Sequence, residues 1–342
     1  MRKISVDIVK SRKKSCENRA KLIRKRIKVN KIYKLIAVLI VLSIVGIYIS
    51  SKYYYERSFM ATIAEIYLKV TKYGNVTQEE MEAWLKEREE MEEKPYELPK
   101  GYEDILITEG SGMKLLNLNP DGKGEVVLYL HGGSYLHDPD PNHFKFLNKL
   151  IPSTDIKVIL PVYPKAPKNT FKYAYEKVIE LYKEMSKDKS VILMGDSAGG
   201  GFVLGLAQEI KRLNLREPKK LIVISPWVDL TMENPDILVY EKVDPWLKYS
   251  KSVPTAKSWS GGEDLKDPRL SPTYGDISAL KNLTIFIGTR DILYPDVKIL
   301  ADKVKDVNLI IGKNLNHDYP FFPIPEAKEA INQIIRIVNE VE

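Results

Sequence analysis

The clearest pattern of hydrophobic positions is a series of short apolar segments that alternate with longer amphipathic ones after residue 120. The short segments are rich in β-branched residues, as expected of strands buried on both faces of a sheet. The predicted strands are 126–130, 158–160, 191–194, 221–225, 283–288 and 307–311, and the predicted helices are 171–186, 198–213, 295–304 and 326–340. This alternation predicts an α/β fold with a mainly parallel sheet and helices on both faces.

Three further segments lie outside this alternation. Residues 56–94 have a helical pattern, in which Thr77 followed by Glu80 is typical of a capping box. Residues 104–118 are predicted to form a short hairpin. Residues 231–278 interrupt the alternation with a stretch rich in Pro, Trp and charge, and insertions of this kind often lie over active sites as lids.

Near the N-terminus the pattern changes to an uncharged apolar run, Leu35–Ser51. As a helix this run would be about 26 Å long, which approaches the thickness of a bilayer core. Tyrosines flank it on both sides, as is typical of membrane interfaces. The run therefore predicts a transmembrane anchor. A cleaved signal peptide and a buried core helix are the alternatives.

Charge supports the anchor and gives it an orientation. Residues 1–34 contain 14 Lys and Arg and two acidic residues, a net charge of +12, whereas the whole chain carries +7, so residues 35–342 carry −5. The positive-inside rule predicts a basic cytoplasmic tail, 1–34, with everything after Lys52 outside the cell membrane. The single cysteine, Cys16, lies in this tail. A nucleic-acid-binding tail is the competing interpretation.

The strongest chemical motif is the G-x-S-x-G of Gly195–Gly199, which lies between a predicted strand and a predicted helix. In that context the serine stands on a sharp turn with its hydroxyl exposed, and the helix N-terminus favours developing negative charge. Ser197 is therefore the predicted nucleophile of an acyl-transfer reaction.

A second motif, His131-Gly132-Gly133, follows the strand 126–130. Glycines at a strand end can turn two backbone N–H groups toward one point, which is what the oxyanion of an acyl-transfer transition state requires. The N–H groups of Gly132, Gly133 and Ala198 are the predicted oxyanion hole. His131 is expected to hold this loop and not to react.

The base and the acid follow from chain order, which is Ser, acid, His in folds with this serine turn. Among the four histidines only His317 follows Ser197. Asp291 comes shortly after a predicted strand end, where such sheets place their chemistry, and is the predicted acid. Asp296 is the second choice. The other aspartates between Ser197 and His317 include Asp229, which we expect to be structural, and Asp236, Asp244, Asp302 and Asp306.

Together these residues resemble the hormone-sensitive-lipase-like branch of the α/β-hydrolase esterases. The resemblance covers about 105–340 and rests on HGGSY at 131–135, YPKAP at 163–167, GDSAGG at 195–200, SPWVDL at 225–230, GTRDIL at 288–293 and NHDYP at 316–320. It implies carboxylic-ester hydrolysis, no cofactor, and a helical cap formed by 56–100 with the insertion 231–278. Ser134 stands where the family usually has a third glycine.

The sequence thus predicts a tail (1–34), an anchor (35–51), N-terminal helices (52–103) and a catalytic domain (104–342). The predicted function is serine ester hydrolysis through an acyl-enzyme, with a small or envelope-associated lipid or glycan ester as substrate. Tyr135, Trp246 and Trp259 are candidates for the acyl pocket or for plain packing. The alternatives are an acyltransferase and a non-catalytic, membrane-tethered scaffold. No metal, cofactor or nucleic acid is expected.

Overall fold

The computed structural model describes residues 2–71, 76–92 and 94–340. The chain divides into two compact units, Met1–Phe59 and Met60–Glu342. The first unit consists of helix α1, Arg2–Ile49, which continues into a π-helical segment, Ser50–Tyr54. Within it Tyr33–Tyr54 is long and apolar enough to cross a membrane. Its side chains are largely exposed, which is not the environment of a core helix.

The second unit begins with two helices that the sequence pattern predicted as one helical region. Helix α2 is Phe59–Val70 and helix α3 is Gln78–Glu90. The expected capping box is present at the start of α3, where the hydroxyl of Thr77 accepts from the Glu80 N–H and the Glu80 carboxylate accepts from the Thr77 N–H. These two bonds satisfy amide groups that a helix start otherwise leaves without partners.

Eight strands form one sheet in the order β1-β2-β4-β3-β5-β6-β7-β8. Strands β1 and β2 form the predicted hairpin, β2 also pairs antiparallel with β4, and the remaining pairs are parallel. The strands are β1 Leu106–Gly110, β2 Met113–Leu118, β3 Val126–Leu130, β4 Lys157–Pro161, β5 Ile192–Asp196, β6 Leu221–Ile224, β7 Leu283–Arg290 and β8 Asn308–Asn316. The predicted mainly parallel α/β sheet is confirmed.

Helices connect these strands and cover both faces of the sheet. They are α4 Pro141–Thr154, α5 Phe171–Met185, α6 Ser197–Arg212, α7 Ile237–Glu241, α8 Tyr249–Ser260, α9 Tyr294–Lys303 and α10 Pro325–Asn339. The sequence pattern did not predict α4, which has proline at its first position and again at Pro152. Its start is capped by Asp140, whose carboxylate accepts from the Asn142 N–H.

The core has two layers, one on each face of the sheet. Along β3 the side chains of Leu128 and Leu130 belong to one layer, and those of Val127 and Tyr129 belong to the other. This is the two-residue alternation of a strand, here with apolar residues on both sides. Helices α3, α5, α6, α8 and α9 pack on the first layer, and α2, α4 and α10 pack on the second.

The predicted cap joined the N-terminal helices to the insertion 231–278. In the structure α3 packs through Met81 and Leu85 in the same cluster as Trp259 of α8. The Ser250 hydroxyl of α8 donates to the Val76 carbonyl, 2.7 Å away, just before α3. Helix α2 packs on the opposite layer through Ala61.

Candidate active site

Ser197 lies at the sharp turn between β5 and α6, and its backbone has a φ of +50°. A β-carbon on Gly195 would lie 2.6 Å from the Leu130 carbonyl oxygen, and one on Gly199 would lie 2.0 Å from the same oxygen. No real β-carbon tolerates such distances to backbone. The two glycines of the motif therefore allow the serine turn to press against the end of β3.

The structure brings the three predicted residues of the triad into one hydrogen-bonded chain. His317 Nε2 lies 3.0 Å from Ser197 Oγ, and His317 Nδ1 lies 2.8 Å from Asp291 Oδ2. Asp291 follows β7 directly and His317 follows β8 directly, so both come from carboxyl ends of parallel strands. The other oxygen of Asp291 accepts from the Leu293 N–H at 2.9 Å. A serine, a histidine and an aspartate linked in this order can carry out acyl transfer.

A second carboxylate, which the sequence analysis missed, also contacts the base. Asp318 Oδ2 lies 3.1 Å from His317 Nε2, the same nitrogen that faces Ser197. Burial opposes the charged imidazole, but Asp291 and Asp318 outweigh it and raise the pKa of His317 well above its usual value. Burial in turn raises the pKa of Asp318 to about 6. Asp318 and Ser197 therefore both contact the same imidazole nitrogen.

Asp244, from the insertion, holds the loop that carries the acid. One of its oxygens accepts from the Ile292 N–H at 2.8 Å, and the other accepts from the Trp246 and Leu247 N–H groups. Burial, with Asp291 nearby, raises the pKa of Asp244 to about 7. The Trp246 ring stands edge-on to His317, with 5.4 Å between ring centroids. Asp244 thus joins the insertion to the triad.

The predicted oxyanion loop lies directly beside the serine turn. A β-carbon on Gly132 would lie 2.1 Å from Asp196 Oδ2 and 3.0 Å from Ser197 Cβ, so only glycine fits. Gly133 has a φ of +106°, which also favours glycine. Ala198 is the first residue after the nucleophile in α6. The three backbone N–H groups proposed as oxyanion donors therefore belong to segments that touch one another.

His131 is buried beside the predicted oxyanion loop. Its Nδ1 lies 2.7 Å from the Gly132 carbonyl oxygen, and its ring stacks on Tyr163 with 4.4 Å between centroids. The Tyr163 hydroxyl donates to the His131 carbonyl at 2.7 Å. Burial, with His143 and Lys165 nearby, lowers the pKa of His131 well below its usual value. The His131 ring is therefore expected to be neutral, and it packs the Gly132 loop against Tyr163.

A charge network that the sequence analysis also missed lies beneath the nucleophile. Asp196 accepts from the Tyr129 hydroxyl at 2.6 Å, and its other oxygen lies 3.5 Å from His143 Nε2. Burial opposes the charged form of His143, but Asp196 and Asp140 raise its pKa to about 10. The Asp196 carboxylate therefore lies between Tyr129 and His143, next to Gly132. His143 lies on α4, the helix that the pattern did not predict.

The predicted pocket aromatics divide into two groups. Tyr135 and Trp259 are buried and stacked with 4.4 Å between ring centroids, and Trp227 packs beside Tyr135. These three form part of the core below the oxyanion loop. Trp246 differs from them, because its ring faces His317.

Two other candidate acids bond to groups other than His317. Asp296 accepts from the side-chain amide of Asn234 at 2.7 Å, and Asp229 accepts from Thr231 and from the Tyr274 hydroxyl. Among the described residues no group of three or more His, Cys, Asp and Glu side chains is arranged to hold a metal ion.

Comparison with known proteins agrees with this fold. Residues 127–320, more than half of the chain, match the family described as alpha/beta hydrolase fold. The chain belongs to the alpha/beta hydrolase family. The matched range runs from β3 to just beyond His317, and so contains every residue of the α/β-hydrolase site described above.

Relatives within the α/β-hydrolases give the reaction class. An esterase of Acinetobacter venetianus is 25% identical over 230 residues, which cover 64% of this chain and 76% of that protein. A carboxylesterase/phospholipase of Mycobacterium tuberculosis is 25% identical over 244 residues, 64% of this chain and 63% of that protein. A hormone-sensitive-lipase homologue from a metagenome library superposes with a TM-score of 0.66 at 25% identity, covering 81% of this chain and 97% of that one. The chain is a carboxylesterase/lipase-like hydrolase of the hormone-sensitive-lipase-like branch.

The raised pKa of His317 predicts the pH dependence of ester hydrolysis. A base accepts a proton only in its neutral form, so kcat/KM should rise with pH and level off only well above pH 6.5. The measurement is kcat/KM on a soluble chromogenic ester between about pH 5 and 10. If kcat/KM already reaches its plateau below pH 6.5, the pKa of His317 is not raised and the prediction is wrong.

Asp318→Asn tests the second carboxylate. The change removes a negative charge beside the imidazolium, so the pKa of His317 should fall and the acid limb of kcat/KM should move to lower pH. Asp296→Asn is the matched control, because it removes a buried carboxyl that does not contact His317. If both variants keep the wild-type limb, Asp318 has no influence on the base.

Gly199→Ala tests the close approach of the serine turn to β3. The added methyl would meet backbone carbonyl oxygens that cannot rotate away, so activity should be lost and unfolding free energy should fall by roughly 3 kcal/mol. In Gly262→Ala the methyl meets no atom within 4 Å, and only its positive φ costs about 1–2 kcal/mol. The measurements are denaturant unfolding and ester hydrolysis. Equal activity of the two variants would contradict the steric argument.

Proposed function

We propose that this chain hydrolyses carboxylic esters with Ser197 as nucleophile, His317 as general base and Asp291 as the acid that orients the base. The observation that carries the proposal is the chain of two hydrogen bonds, Ser197 Oγ to His317 Nε2 and His317 Nδ1 to Asp291 Oδ2. The strand-to-helix turn at Ser197 supports the same assignment.

The first half-reaction forms an acyl-enzyme. His317 Nε2 takes the hydroxyl proton of Ser197 as the oxygen attacks the ester carbonyl, and Asp291 stabilises the imidazolium that results. The carbonyl oxygen becomes an oxyanion, which we assign to the N–H groups of Gly132, Gly133 and Ala198. Nε2–H of His317 then protonates the leaving alcohol as the C–O bond breaks.

The second half-reaction returns the free enzyme. Water enters in place of the alcohol, His317 accepts a proton from it, and the resulting hydroxide attacks the acyl carbonyl. The tetrahedral intermediate uses the same three N–H donors. It collapses as Ser197 Oγ leaves and regains its proton from His317, which releases the carboxylic acid.

The substrate is proposed to be a small or envelope-associated ester. A relative is named a carboxylesterase/phospholipase, which is consistent with lipid as well as small esters. Ser197 is only 8% exposed, and the Trp246 ring stands beside His317. A substrate that reaches the serine would therefore pass close to the Trp246 ring. An acyl chain would find apolar contact there.

We further propose that Tyr33–Tyr54 is a single-pass membrane anchor. The helix has the length and apolar composition to cross a bilayer. The basic residues of 1–34 favour a cytoplasmic N-terminus and place Met60–Glu342 on the other side of the membrane.

Ser197→Ala tests the nucleophile. With the full chain in detergent, hydrolysis of chromogenic acetyl, butyryl and octanoyl esters should fall by several orders of magnitude, because no other group is proposed to form the acyl-enzyme. Ser250→Ala is the control, since it removes a hydroxyl of α8 that bonds to the Val76 carbonyl. Wild-type protein that is folded and inert on every ester would contradict the proposal. A new ester formed from added alcohol would favour acyl transfer.

The single natural cysteine tests the orientation of the anchor. A membrane-impermeant maleimide should leave Cys16 unlabelled in intact cells and label it after permeabilisation. In a Cys16→Ser chain, Tyr173→Cys on the exposed face of α5 should be labelled in intact cells. The reverse labelling of the two positions would mean that the catalytic unit is cytoplasmic.

A further inference from the structure

One face of helix α2 is buried against the rest of the second unit, Met60–Glu342. This unit contains the proposed active site and is called the catalytic unit below. Ala61, Thr62, Glu65 and Leu68 are buried, and they recur with helical spacing. Glu65 lies 2.8 Å from the guanidinium of Arg290, and both side chains are nearly inaccessible to water. Arg290 ends β7 and directly precedes Asp291. This buried ion pair joins α2 to the strand that presents the proposed acid.

The other face of α2 is apolar and exposed. Met60, Ile63, Ile66, Tyr67 and Val70 have exposed fractions of 36% to 74%, and their spacing of three and four residues puts them on one side of the helix. A helix that faces water normally carries charged and polar residues on that side. A continuous apolar stripe of this kind marks a surface that meets something other than water.

The covalent chain limits what this stripe can meet. Helix α2 begins at Phe59, and the segment long and apolar enough to span a membrane ends at Tyr54. The four residues between them can extend at most about 18 Å from Tyr54 to Phe59. Whatever the orientation of the two units, α2 therefore begins within that distance of the end of the membrane span.

We propose that the exposed stripe of α2, Met60, Ile63, Ile66, Tyr67 and Val70, lies in the lipid interface of the bilayer that the preceding helix crosses. The proposal rests on the anchor proposed above. An interfacial helix has this design, with an apolar face that enters the headgroup and acyl boundary by roughly 5–10 Å. Tyr67 suits that boundary because its ring is apolar and its hydroxyl is polar.

The surface has a consequence for the substrate. Because Glu65 and Arg290 bind α2 to β7, docking of the stripe holds the end of β7, and with it Asp291, next to the membrane. The catalytic unit would then be held at a constant depth and would not swing on a tether. Esters that reside in the bilayer, such as acyl lipids, are the substrate class that this arrangement serves.

The test measures lipid contact at one position of the stripe in the full chain. Ile66→Cys is introduced into a Cys16→Ser chain, labelled with an environment-sensitive fluorophore, and reconstituted in phosphatidylcholine/phosphatidylglycerol vesicles. Tyr173→Cys is the matched control. It is also an exposed side chain, but on α5, which packs on the opposite layer of the sheet from α2.

We expect lipid-borne bromine near the headgroups to quench the label at position 66 strongly and the label at position 173 hardly at all. Iodide in the water should quench the label at position 66 several-fold less than the label at position 173. Equal iodide quenching at both positions would overturn the proposal. Shielding of position 66 from both quenchers would also overturn it, because the stripe would then be covered by protein, such as a second copy.

Hydrolysis of a soluble chromogenic ester by the same labelled proteins separates this proposal from the proposed function. Neither position belongs to the catalytic machinery, so both should retain wild-type turnover, which also reports that they are folded. Active protein without lipid contact would refute bilayer docking and leave the esterase assignment standing. Lipid contact in a protein that does not hydrolyse the ester would support bilayer docking and contradict the esterase assignment.

Discussion

The site depends on the close approach of two backbone segments, the end of β3 and the turn that follows β5. The Leu130 carbonyl lies where a β-carbon on Gly195 or Gly199 would have to be. This contact sets the serine at the start of α6 and brings the Gly132 loop beside it. The proposed nucleophile and the proposed oxyanion donors are therefore parts of one packed backbone structure. A loop of independent mobility would lose the fixed donors on which electrostatic stabilisation relies.

Buried charge governs the chemistry around this backbone frame. Asp291 and Asp318 both contact the ring of His317, while Asp244 accepts backbone bonds from the loop of the acid. A cluster of carboxylates in a poorly hydrated site cannot remain fully ionised, and accordingly the pKa values of Asp244 and Asp318 are raised. A positive charge on His317 is one that such a cluster stabilises. The insertion thus contributes to the electrostatics of the site through Asp244.

The N-terminal part of the molecule can be understood with the same physics. A long apolar helix avoids water by crossing a bilayer. A few residues later, the stripe of α2 also exposes apolar side chains that water solvates poorly. The buried pair of Glu65 and Arg290 connects this stripe to β7. Membrane attachment and catalysis would then share one structural element.

The sequence by itself determined the features whose physical cause is local or lies in chain order. These are the apolar strands, the turn at Ser197, the membrane-length helix, and His317 as the one histidine beyond the serine. Chain order left several aspartates between Ser197 and His317, and the position after a predicted strand end favoured Asp291. The tertiary structure brings Asp291 to the imidazole. It alone showed the roles of Asp318 and Asp244, and the approach of α4 beneath the nucleophile. Each of these arrangements involves residues that are far apart in the chain. Tertiary packing determines such distances, and a local sequence pattern contains no information about them.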